Sequence, residues 1–210
     1  MKTPTQSEFE IVRRKFVSVV AAVMMSGFLA LQSEPAHALT TTEVEALIET
    51  VAREIRTAIN ESESETEMFK RFESVLESYA DLPIIARSAL GVEWRRATAK
   101  QRREFTAAFS RYLALKYGKH FRSFQQAQVK IRRSRLVKSG VLVETVVSRS
   151  GAPPLAIDWQ VSDKSGETRI FNLYIEGVSV LSIERQEIGL LLDRVGGDID
   201  VLVAELESHG

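Results

Sequence analysis

Apolar residues recur every three or four positions through the first half of this chain. Val44, Leu47, Ile48, Val51, Ile55 and Ile59 form one such set. Met68, Phe69, Phe72, Val75, Leu76 and Tyr79 form a second, after the polar break "NESESETE" at 60–67. That spacing puts each set along one face of a helix. Pro83 suits the opening turn of a short third helix, and Gly91 suits its end. Thr98-Ala99-Lys100-Gln101 fits a capping box, in which the Thr and Gln side chains accept from free backbone N–H groups. A long helix is expected from there, with Phe105, Phe109, Tyr112, Leu113 and Tyr117 near one side.

The period then changes from about 3.6 to about 2. "QVKIRRSRLVK", "GVLVETVVSR", "PLAIDWQVSD" and "TRIFNLYIE" each have a strand's length and are separated by Ser-Gly, Ser-Gly-Ala-Pro-Pro and Lys-Ser-Gly-Glu turns. Connections this short imply antiparallel neighbours, hence a four-stranded antiparallel meander. Leu155, Ile157, Trp159 and Val161 alternate with Ala156, Asp158 and Gln160, so one face is expected to be buried and the other wet. Phe171, Leu173 and Ile175 are expected to share the buried face. Two helices close the chain, at about 180–194 and 198–207, with Gly196-Gly197 between them. N-terminal helices, then a sheet, then two C-terminal helices describe an α+β domain.

Positions 1–38 read differently. Arg13, Arg14 and Lys15 precede an apolar run from Phe16 to Leu31, and Ala36-His37-Ala38 follows. This order matches an export signal peptide cleaved near Ala38, leaving 39–210 as a single domain. The apolar run is short for a membrane span, which needs roughly 20 residues. The Arg13-Arg14 pair also resembles a twin-arginine signal. Positions 39–210 keep 24 of the 28 basic and 25 of the 28 acidic residues, so their net charge is near −1. Near neutrality gives no electrostatic case for nucleic acid. There is no cysteine, which removes disulfides and thiol chemistry alike.

The residues of a catalytic site are not assembled by any motif. His120 and His209 lack metal-ligand spacing, so neither a zinc site nor another metal cofactor is expected. Gly177-Val178-Ser179-Val180-Leu181 begins like a nucleophile elbow but carries Leu where Gly-x-Ser-x-Gly needs its second glycine. Ser179 is better placed as the N-cap of the helix from Val180, with Gly177 easing the turn before it. A hydrolase using Ser179 remains a testable rival. Lys130, Arg132, Arg133, Arg135 and Lys138 make one dense basic run, suited to a charge-protected edge strand or to docking an acidic partner or lipid head groups.

"YADLPIIARSALGVEWRRATAKQRREFTAAFSRYLALKYG" supplies Asp81, Ala86-Arg87, Leu90-Gly91, Trp94, Thr98, Gln101, Phe105, Phe109 and Tyr117 in order. Glu176-Gly177-Val178-Ser179 and Arg185-Gln186 follow. This pattern resembles the MlaC/toluene-tolerance family of periplasmic phospholipid-binding proteins, auxiliary components of ABC transporters that maintain outer-membrane lipid asymmetry. The chain departs from the family pattern at Thr168-Arg169 (usually with Trp), at Asn172 (usually Asp) and at Glu187-Ile188 (usually Gln-Phe).

The resemblance implies a soluble, non-enzymatic periplasmic carrier that holds a phospholipid as cargo in an apolar cavity. Its implied partners are an outer-membrane lipoprotein complex and an inner-membrane ABC transporter with an MCE-type protein. A hopanoid-type lipid is an alternative cargo, and a periplasmic protein-interaction adaptor an alternative role. A phospholipid with ~30 methylenes, at about 0.8 kcal/mol each, does not cross water bare, so a carrier must sheath its chains. The candidate lining residues are Phe105, Phe109, Tyr112, Trp159, Phe171, Leu173, Ile175 and Val178. Ordinary core packing competes for each of them.

Overall fold

Side-chain caps start the helices where the sequence places them. In the computed structural model, which describes residues 39–120 and 124–208, Thr40 and Glu43 form a capping box at the head of α1 (Thr41–Glu61). Ser64 caps α2 (Glu65–Tyr79) by accepting from the Glu67 N–H. Asp81 accepts from the Ile84 N–H at 3.3 Å to open α3 (Leu82–Leu90), with Pro83 in its first turn. A 3-10 turn (Gly91–Arg95) follows. The Thr98–Gln101 box then starts α4 (Ala99–Gly118), with Gln101 N–H to Thr98 Oγ1 at 3.2 Å and Thr98 N–H to Gln101 Oε1 at 3.0 Å. Each box satisfies orphan donors that water would otherwise have to serve. The expected export segment at 1–38 lies outside the described residues.

The sheet is an antiparallel meander of five strands rather than four, in the order β1-β2-β3-β4-β5. These are β1 (Gln128–Val137), β2 (Gly140–Arg149), β3 (Ala152–Ser162), β4 (Arg169–Ile175) and β5 (Val178–Ser179). The additional strand is only two residues long, too short for alternation to reveal. It returns on β4 through Glu176 and Gly177, whose φ values of 51° and 77° are both left-handed, as a two-residue primed turn requires. Glycine adopts this geometry freely, and Glu176 does not. Two bonds to β3 hold it there: its N–H donates to the Ala156 carbonyl at 3.0 Å, and its Oε1 accepts from the Ala156 N–H at 2.6 Å. Ser179 ends β5 and caps α5 (Val180–Arg194), accepting from the Ser182 N–H at 3.2 Å. After Gly196-Gly197 the chain closes with α6 (Ile199–Ser208).

One face of the sheet is covered. Val141 and Val143 of β2 and Trp159 and Val161 of β3 are all buried, and they pack with α1 and α2 through Val44, Ile48, Val51, Phe72 and Val75. A second core is made by helices alone, with Phe105, Phe109, Ile188, Leu192, Leu202 and Leu206 at its centre. Leu76 and Tyr117 pack against both cores and mark the seam between them. Strict alternation in β4 carries Phe171 onto the covered face. A register shift between Gln160 and Val161 instead sets Ile170 opposite Val161, while Leu173 stays opposite Trp159 and Ile175 opposite Ile157. β1 forms an edge of the sheet, its basic side chains exposed, with a bulge between Ile131 and Arg133. Charge and a bulge together discourage edge-to-edge pairing.

Gly140 opens β2 at φ 140°, and a Cβ there would lie 2.0 Å from the Val161 carbonyl oxygen. Backbone cannot yield to that overlap, so Gly140→Ala is expected to remove about 3 kcal/mol of unfolding free energy in urea denaturation. Ser179→Ala is expected to remove about 1 kcal/mol as a lost cap.

Candidate functional site at the seam between helices and sheet

The eight residues singled out from the sequence fall in three places. Phe105 and Phe109 are fully enclosed in the helix-only core, their rings stacked at 5.4 Å, and half-buried Tyr112 continues the stack at 6.1 Å from Phe109. Trp159 lies in the sheet core with Leu173 packed against the same cluster. Its indole Nε1–H donates to Thr145 Oγ1 at 3.1 Å, and that hydroxyl donates to the Ile157 carbonyl at 2.6 Å, so both buried polar groups are satisfied. Phe171 and Ile175 are half-buried on β4, and Val178 is 54% exposed on β5.

The covered face is not closed along its whole length. α1 packs against β1 and β2, and α5 against β4 and β5. Between them Leu155 and Ile157 of β3, with Leu173 and Ile175 of β4, are only half-buried. This is an apolar row whose cover is incomplete.

Beside it the seam carries a charged cluster. α4 presents Tyr112, Lys116 and Tyr117, and α5 presents Glu184 and Glu187. The Lys116 ammonium reaches Glu184 Oε1 at 2.8 Å and also bonds Glu187 Oε2. The Tyr117 and Tyr112 hydroxyls donate to Glu184 Oε1 and Glu187 Oε1, each at 2.5 Å. Lys116 lies 5.5 Å from the Tyr112 ring centroid and 5.6 Å from that of Tyr117, adding cation–π attraction. The cluster grades from outside to inside: the Glu187 side chain is 41% exposed, Lys116 27% and Glu184 1%. Glu184 Oε2 is buried with no hydrogen-bond partner among the described residues.

This environment moves the titrations. Burial opposes the Lys116 charge, but its bonds to Glu184 and Glu187 outweigh that and hold its ionisation above the ordinary lysine range. Burial first, then the bond to Glu184, pushes the Tyr117 hydroxyl well up, and burial with Glu187 does the same for Tyr112. Burial also pushes Glu187 upward, yet bonds from Lys116 and Tyr112 leave it below its ordinary 4.5.

Hydrophobic periodicity in the sequence does not reveal this cluster. The available signal was Glu184 itself, which sits four and eight residues before Ile188 and Leu192 on the buried side of α5. An acid on an apolar stripe needs a partner.

A second polar group aims α5 at the seam. Asn172 on β4 accepts from the Leu181 N–H at 3.1 Å through Oδ1 and bonds Ser179 Oγ and Gln160 Oε1, each at 3.1 Å, through Nδ2. Ser179 is thus engaged as a cap and a bridge to the sheet. Elsewhere, a groove of about 550 Å³ lined by Glu77, Asp81, Pro83, Glu167 and Arg169 lies at the α2–α3 junction. Arg169 is committed there to the Glu77 and Ser78 carbonyls, both at 2.9 Å, closing the end of α2. Among the described residues no group of His, Asp and Glu is arranged to hold a metal ion.

Fold and seam together define a helix-covered antiparallel-sheet protein with an apolar inner row and one buried acid beside it. The family model described as MlaC protein matches residues 45–208, and the chain belongs to that family. It is 21% identical over 135 residues to the intermembrane phospholipid transport system binding protein MlaC of Haemophilus influenzae, with 62% of each chain covered. The fold is shared with the phospholipid-binding protein from Ralstonia solanacearum, solved in complex with a phospholipid. The TM-score there is 0.68 at 19% identity, over 78% of this chain and 94% of that one.

Lys116→Met leaves Glu184 buried without its ammonium. Breaking a buried pair removes about 3–5 kcal/mol; with Lys116 partly exposed, a loss of about 2 kcal/mol is expected in chemical denaturation. Glu187 binds its proton less readily folded than unfolded, so its contribution is present above pH 4.5 and lost as pH falls through the folded value. The acid limb of a melting-temperature profile is therefore expected to flatten in Glu187→Gln.

Proposed function

We propose that this protein is a periplasmic phospholipid carrier. The observation that carries this reading is the incompletely covered apolar row, Leu155, Ile157, Leu173 and Ile175, in a chain of the MlaC family. Acyl chains laid along that row, under α4 and α5, exchange water for apolar side chains. At about 25 cal/mol per Å² the gain suffices to draw a chain from water, while a head group stays at the rim. The names of the relatives support the cargo: one is a binding protein of an intermembrane phospholipid transport system, and another was solved with a phospholipid.

Phe105, Phe109 and Tyr112 on the helical side, and Trp159, Leu173 and Ile175 on the sheet side, would wall the slot as its layers separate, with Val178 at the rim; Phe171, displaced from the covered face by the register shift, would not. No bond to the cargo is made or broken. Among the described residues no helix is long and apolar enough to cross a membrane, which suits a carrier moving between membrane-bound partners. Those partners are an outer-membrane lipoprotein complex and an inner-membrane ABC transporter with its MCE-type protein. Export is by the signal at 1–38, removed near Ala38.

Native mass spectrometry and lipid extraction of protein purified from its own compartment test this reading. A phospholipid in near-stoichiometric amount is expected; no lipid bound, and none taken up from vesicles, would overturn it. A charge in the apolar row opposes acyl chains directly. Leu173→Glu is therefore expected to lower phospholipid uptake at least tenfold in a vesicle assay, while far-UV circular dichroism still reports the folded protein.

A further inference from the structure

We propose that the Lys116 cluster is a clasp across the entrance to the apolar row, released when the first half of α5 moves with the sheet away from α4. The clasp rests on the carrier reading above and adds the route by which cargo enters and leaves. α4 packs closely on α2, α3 and α6, but it meets the first half of α5 through long side chains. Lys116 reaches Glu184 and Glu187, Tyr112 reaches Glu187, and Tyr117 reaches Glu184. The row lies just inside this bridge, because Tyr117 packs against the same sheet core as Ile157 and Leu173.

A polar bridge opens more readily than interdigitated apolar packing. When its groups part, water takes up the freed donors and acceptors, so each bond lost has a modest net effect. Apolar side chains have no such substitute. Lys116 and Glu187 already meet solvent at the outer end of the cluster. Ile183 and Leu190 stand four residues before and three after Glu187, on the same side of α5, and both are exposed. They set apolar surface outside the clasp, where an acyl chain first arrives.

α5 is anchored to different layers at its two ends. Asn172 of β4 accepts from the Leu181 N–H and bonds Ser179, which ties the first turn to the sheet. Leu192 and Val195 hold the last turns in the helix-only core. Gly189 lies between these anchors, and a Cβ there would meet nothing within 4 Å, so packing does not call for glycine. Glycine inside a helix weakens it relative to alanine. At this position it eases a bend that lets Glu184 and Glu187 follow the sheet while the end of α5 stays in place.

The chain has no cysteine of its own, so a tether can be placed across the clasp alone. In Tyr112→Cys/Glu187→Cys, a bis-maleimide links α4 to α5, whereas N-ethylmaleimide adds bulk at both positions without linking them. The measurement is the rate of uptake of pyrene-labelled phosphatidylethanolamine from vesicles of phosphatidylethanolamine and phosphatidylglycerol. The linked protein is expected to take up lipid about tenfold more slowly than the capped one, as for a lid held shut. Equal rates in the two forms overturn the clasp.

Gly189→Ala decides the matter if the double variant does not fold or takes up no lipid. It is expected to raise the urea midpoint and to slow uptake about threefold, because alanine stiffens the bend. A merely structural glycine predicts the higher midpoint with unchanged uptake, and that result overturns the clasp while leaving the carrier intact. No uptake by the wild-type protein overturns the carrier reading itself.

Discussion

Burial of one face of the meander is the constraint on which the rest of the molecule depends. Val141, Val143, Trp159, Val161 and Ile170 form one apolar cluster on the sheet, and among the described residues no second sheet covers it. At roughly 1.5–3 kcal/mol for each side chain taken out of water, the group is worth on the order of 10 kcal/mol. That is comparable to the whole stability of an ordinary domain. α1 and α2 meet the demand over β1 and β2, and the remaining helices form a second core of their own behind α4. Two cores that, among the described residues, share Leu76 and Tyr117 can separate along their seam more readily than one continuous core. On the carrier reading proposed above, the architecture that stabilises the fold would also supply the line along which a chain-like ligand enters.

The corner from β4 through β5 to α5 decides what that seam contains. Glu176 accepts a left-handed conformation because Ala156 satisfies both its backbone N–H and its side chain. Ser179 and Asn172 then serve backbone N–H groups at the start of α5, from the cap and from the sheet. With its first turn held at two points, α5 points Glu184, Ile188 and Leu192 inward. Glu184 thus faces Lys116 and Tyr117 because of a hairpin turn eight residues earlier. A stretch that begins like a nucleophile elbow is in use as a rigid corner, and its serine is occupied by capping.

Much of this fold could be read from the residues before any coordinates. The caps at Thr98 and Ser179 and the change from helical to alternating periodicity at Gln128 are local signals, and the elements begin where those signals lie. What local patterns miss are two-residue and long-range effects. β5 is shorter than one period of alternation. The register shift beside Gln160 is a property of the β3–β4 pair, so it brings Ile170 rather than Phe171 opposite Val161. For the site, the apolar candidates were visible by type but not by depth. Phe105 and Phe171 look alike in sequence, yet one is sealed between helices and the other is half-buried on a strand. The Lys116–Glu184 contact joins residues 68 apart, and only the odd placement of an acid on an apolar stripe hinted at it.

A carrier of this design has little need of reactive groups; it needs an apolar row that can be uncovered and a rim that stays wet. On the proposed reading, the half-buried side chains of β3 and β4 and the graded exposure from Glu187 to Glu184 would be the two parts of that arrangement. The most direct test is a crystal structure of the protein loaded with a phospholipid. Acyl chains lying between Ile157, Leu173 and Ile175 on the sheet and α4 above them would be the predicted result. A lipid bound on the outer face of the sheet, with the two cores still in contact at Tyr117, would contradict the account.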